Sequence, residues 1–117
     1  MTSPTFTSRS DLESRFSAPS PPSDSELAAL RRLIRIAQTD TGQARRVASF
    51  LLAWWNARTC GGFDLTDLWA VDAEIAQDMV LVFGLVARLR EYPPKLGLEA
   101  EFAQIVRDWR PQLADEA

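Results

Sequence analysis

The chain has 117 residues, 46% hydrophobic and 25% charged, with a net charge of −3; that suits one small domain with a single core. No histidine and only one cysteine are present, which excludes Ser-His and Cys-His nucleophilic pairs, imidazole acid–base chemistry and any intramolecular disulfide. The charge balance favours neither a general nucleic-acid binder nor an acidic mimic of one.

Residues 1–23, "MTSPTFTSRSDLESRFSAPSPPS", are rich in Ser, Thr and Pro and poor in aliphatics. Such a segment cannot bury enough apolar area to offset its ordering entropy, so a disordered tail is expected. Leu12 and Phe16 are spaced for a docking turn, with plain disorder the simpler reading. Residues 24–117 then form the helical domain. Its first helix is expected to start at Ser23 or Asp24, with Glu26 in the first turn. Leu27, Leu30, Leu33, Ile34 and Ala37 fall on one stripe, and Arg31, Arg32 and Arg35 face away from it.

"TDTG" at 39–42 breaks that helix, and a second is predicted from about Gln43 to Arg58. Ala44, Ala48, Leu51 and Trp55 make its central stripe, flanked by Val47, Trp54 and Leu52. So wide an apolar arc implies more than one neighbour. "CGG" then stops the helix, since glycine best adopts the left-handed conformation after a last turn. Asp64 is placed to cap a short helix "LTDLWA", on which Leu65, Leu68 and Trp69 are expected to point inward. Asp72 is placed to cap a third helix, about Ala73 to Glu91.

The third helix carries Ile75, Met79, Val82, Phe83 and Val86 on one side, while Val80, Leu81 and Leu85 make its second half apolar nearly all round. Such a helix is either central or buried against a second copy. Gly84 in its interior costs about 1 kcal/mol relative to alanine, which close approach of another helix would justify. Val80, Leu81, Gly84 and Leu85 are therefore the candidate self-association residues. "YPPKLG" is expected as a stop and extended linker. A fourth helix, about Leu98 to Arg110, puts Leu98, Phe102, Ile105, Val106 and Trp109 on one face. The expected fold is all-α: a compact bundle of four main helices plus a short connecting helix.

Cys60 lies at a helix C-terminus, where the dipole disfavours a thiolate, and no histidine assists it. It reads as a packed cysteine. Asp64, Asp67, Asp72, Glu74 and Asp78 are better explained as caps and first-turn acids than as hard-metal ligands. No catalytic, cofactor or metal residue is assigned. The longest uncharged apolar run, "MVLVFGLVA", is far shorter than the ~20 residues of a spanning helix. A cytoplasmic, membrane-free protein is expected.

Charge is segregated along the chain: residues 25–58 sum to +4 and residues 59–87 to −5. The basic stretch is able to meet nucleic-acid phosphates, the acidic half of the same molecule, or a protein partner. Arg31, Arg32, Arg35, Arg45 and Arg46 are the candidate partner-binding residues. Trp54, at the edge of its stripe beside Phe50, is the candidate surface anchor. A protein partner is favoured, a homodimer is expected through the third helix, and a small nucleic-acid-associated regulator is the alternative.

"FLLAWWNA", "CGGFDLTDLW" and the terminal "WRP", within residues 44–111, resemble a family of small uncharacterised bacterial proteins, a domain of unknown function. The resemblance implies an accessory protein of proteobacterial plasmids and integrative elements, a class rich in inhibitors of host defence. It brings no site residues.

Overall fold

Ser23 opens the first helix, and the chain around it explains why. Its Oγ accepts from the Glu26 N–H at 3.1 Å, while Glu26 Oε1 accepts from the Ser23 N–H at 2.9 Å. This capping box satisfies two backbone groups that would otherwise lack partners. The helix, α1, runs Asp24–Ala37. The structure is a computed structural model that describes residues 20–114. Most of the expected tail, residues 1–19 with the Leu12 and Phe16 turn, lies outside the described residues.

α1 buries Ala29, Leu30, Leu33, Ile34 and Ala37, the helical stripe that the spacing predicts with Ala29 added and Leu27 only half-buried. The other three main helices, α2 (Gly42–Cys60), α3 (Ala73–Leu89) and α4 (Glu99–Trp109), all pack against α1. They share one core with it, built around Leu30, Leu33, Leu51, Leu52, Met79, Leu85, Phe102 and Ile105. A short α5 (Pro111–Ala114) folds back on α4. Among the described residues there is no strand.

α2 is capped by Thr41, whose side chain accepts from the Ala44 N–H at 2.9 Å. It buries Ala44, Val47, Ala48, Leu51, Leu52 and Cys60. Its expected smooth course to Arg58 is broken at Asn56, where φ is −170° and ψ is 85°. Asn56 Oδ1 accepts from the Thr59 N–H at 3.2 Å, so the side chain starts a new turn. Short polar side chains compete with the helix in this way. Gly61, at φ 100°, then turns the chain out of the helix.

Asp64 caps the connecting segment, its Oδ1 accepting from the Thr66 N–H at 2.9 Å and the Thr66 hydroxyl at 2.8 Å. That segment, Leu65–Ala70, is a 3-10 helix. Its three residues per turn align Leu65 with Leu68 and throw Trp69 a third of a turn aside. Leu68 packs against the core, whereas Leu65 is 64% and Trp69 85% exposed. The expected inward triplet is thus corrected, and Trp69 is no core residue.

α3 ends at Leu89 because Arg90 takes a left-handed conformation, φ 58°. Asp72 precedes it without a side-chain cap bond; its N–H and carboxylate both pair with the Gln43 amide, at 2.6 and 3.3 Å. The expected linker after α3 is a 3-10 turn, Pro93–Leu96, with Pro93 buried. In α4, Phe102 stacks on Trp55 at 5.6 Å and takes Trp54 edge-on at 5.8 Å. The Trp109 N–H donates to the Ala37 carbonyl at 2.7 Å, fixing α4 to the end of α1.

Candidate interaction surface

The basic half of the chain meets its acidic half in two ion pairs among the described residues. Arg32 lies bidentate on Asp78, Nε to Oδ2 at 2.8 Å and Nη2 to Oδ1 at 2.9 Å. This planar, paired geometry joins α1 to α3 strongly. Asp78 in return keeps the Arg32 guanidinium protonated more firmly than usual, chiefly through these hydrogen bonds. Arg46 Nε meets Asp67 at 3.5 Å and its Nη1 donates to the Gly42 carbonyl at 3.3 Å. Arg32 and Arg46 are thus engaged within the molecule. Arg31, Arg35 and Arg45 are exposed and form no ion pair with another described residue.

A further ion pair was not legible as such in the sequence. Arg88 grips Glu26 with two bonds, at 2.6 and 2.9 Å, and its Nη2 reaches the Pro21 carbonyl at 3.4 Å. The Arg88 hydrogen bonds, with help from the Ser23 N–H, hold the Glu26 carboxyl down to about 2 from its ordinary 4.5. One carboxylate therefore caps α1 and clamps the far end of α3.

Trp54 is half-buried, not a free anchor. Its N–H donates to the Glu91 carbonyl at 3.0 Å, so the indole joins α2 to the chain beyond α3. Tyr92, 65% exposed, is the aromatic that does reach solvent there. Cys60 is buried, and its carbonyl accepts from Arg110 Nε at 2.9 Å. Among the described residues no three His, Cys, Asp or Glu side chains converge as a metal set, and no helix is long and apolar enough to cross a membrane.

The most distinctive surface belongs to α3. Leu85 is fully buried and so drops out of the expected self-association set; Val80, at 61%, and Leu81, at 39%, remain exposed. Phe83, expected on the core stripe, is 61% exposed. A methyl group at Gly84 would meet nothing within 4 Å, so no other part of the described chain approaches it. At 100° per residue, Ala73, Ala76, Gln77, Val80, Phe83, Gly84 and Ala87 share the outward face, and none is charged. Beside it lies an open, wholly apolar groove of about 200 Å³. Phe50, Phe63, Leu65, Leu68, Met79, Val80 and Phe83 line it.

These features define a small all-helical domain whose most distinctive surface is an exposed apolar face. The chain belongs to the family of unknown function DUF7673, whose model matches residues 27–110. The match takes in α1 from Leu27 onward and the segments that carry the resemblance, ending at the Arg110 of "WRP". No curated protein and no solved structure matches the chain.

Proposed function

We propose that the protein is a non-catalytic interaction module that binds and modulates a protein partner. The observation that carries this reading is the α3 face, free of charge over about four turns and apolar but for Gln77, with Val80 and Phe83 exposed on it. A solvent-facing helix ordinarily carries charged or polar residues there, and large contiguous apolar patches mark sites of association. Exposed Arg31 and Arg35, one turn apart on α1, and exposed Arg45 on α2 supply cationic groups suited to an acidic partner surface. The resemblance to accessory proteins of plasmids and integrative elements gives the setting: a cytoplasmic mobile-element protein acting on a host or defence protein.

The alternative is a nucleic-acid-associated regulator using the same three arginines, which the engagement of Arg32 and Arg46 weakens. Affinity capture from a bacterial lysate, with and without nuclease, separates the two. An interaction module is expected to capture a dominant, nuclease-resistant protein that the triple variant R31E/R35E/R45E fails to hold. Loss of the captured material on nuclease treatment assigns the three arginines to nucleic acid, with binding that weakens steeply in salt.

A further inference from the structure

We propose that the occupant of the α3 face is a second copy of this chain, related by a two-fold axis, with Phe83 of each copy seated in the apolar groove of the other. The inference rests on the module reading and names the partner of its apolar face.

A two-fold interface requires one patch that complements itself. This patch holds both halves of such a contact. Phe83 is the protruding group, 61% exposed, and it stands at the lip of the groove of about 200 Å³. A cavity of ~150 Å³ accepts a benzene ring, so the groove has room for one phenyl side chain. Because the groove walls are wholly apolar, filling them leaves no buried polar atom without a partner.

The area agrees. Leu65, Val80 and Phe83 are 64, 61 and 61% exposed; together they leave roughly 350 Å² open, already within the range of the largest patches on monomers. With the Ala, Gly and Gln rim of α3, each copy contributes roughly 600 Å², and the total, roughly 1,200 Å², sits at the lower limit of specific interfaces. A weak dimer follows, since so small an area leaves little surplus over the cost of association.

Charge points the same way. Each copy has a net charge of −3, yet the face presents none of it, so two copies meet without like charges in contact. A strongly charged partner finds nothing on this face to pair with. Gly84, whose missing side chain serves no contact within the described chain, lets the two α3 backbones approach closely.

Sedimentation equilibrium of the full chain from about 5 to 200 μM brackets a weak dimer. A reversible monomer–dimer equilibrium is expected. F83E is expected to weaken dimerisation at least about 30-fold, as loss of a hot spot does, with an unchanged circular-dichroism melt of the monomer. V80E guards against a folding defect peculiar to position 83, and R31E/R35E/R45E is expected to leave the dimer intact. A wild-type monomer at about 200 μM overturns the proposal, as does a dimer that survives both F83E and V80E. Capture of a partner that depends on the three arginines, by a monomeric wild type, would sink the dimer and leave the module reading standing. A dimer with no captured partner would do the reverse.

Discussion

The substitution Glu26→Gln removes one negative charge from the junction of α1 and α3 and keeps the shape of the side chain. The amide oxygen of the variant is still placed to accept the Ser23 N–H, so the cap survives in part, while Arg88 loses its counter-charge. Both native side chains are well sheltered, Glu26 12% and Arg88 19% exposed. A carboxyl held at about 2 instead of 4.5 corresponds by linkage to about 3 kcal/mol as an upper figure. Solvent access at the edge of the pair reduces this, and about 1.5–3 kcal/mol is expected. The group's folded-state value is lowered, so its contribution is complete above pH 4.5 and disappears as pH falls towards 2. Urea unfolding of wild type and E26Q across that range measures the difference directly. The two stabilities should lie furthest apart at neutral pH and converge in acid. Parallel pH profiles, or a gap under about 0.5 kcal/mol at neutral pH, would refute the clamp.

The Arg32–Asp78 pair should respond asymmetrically. Asp78 is buried and Arg32 half-exposed, so R32M strands a carboxylate and is expected to lower stability clearly more than D78N, which leaves an arginine that water can solvate. Thermal melts at neutral pH decide between them. W69A should change stability by less than about 0.5 kcal/mol, since the ring is 85% exposed; a large loss would restore Trp69 to the core. G84A should stabilise the monomer by about 0.5–1 kcal/mol, because the space is open and α3 gains helix propensity, and should weaken self-association in sedimentation.

Capping chemistry and wide apolar stripes make the elements readable in the sequence. Ser23 with Glu26, Thr41 after a polar break, and Asp64 two residues before Thr66 each set a helix start through a local bond. Such bonds depend on neighbours in the chain and are visible in it. Leu30, Leu33, Leu51, Phe102 and Ile105 follow from spacing for the same reason. α3 is harder because its apolar residues cover most of the circumference, so periodicity alone does not say which side faces in. The deciding residue is Asp78, which turns towards Arg32 and takes Leu85 and Val82 into the core with it. Phe83 and Val80 are thereby left outside. That partnership spans 46 positions and leaves no local mark. Trp69 escapes the sequence pattern for another reason: the α-helical spacing i, i+3, i+4 describes one face only at 3.6 residues per turn, and the segment winds at three.

Whether protein covers the α3 face and its groove is open to direct measurement. Carbene footprinting of the full chain, dilute and concentrated, reads side-chain cover residue by residue. Labelling of Val80, Phe83 and Leu65 is predicted to fall as concentration rises, while Tyr92 and Arg45 label equally throughout. Unchanged labelling of Phe83 and Val80 across the whole range, with or without lysate proteins added, would contradict a covered face.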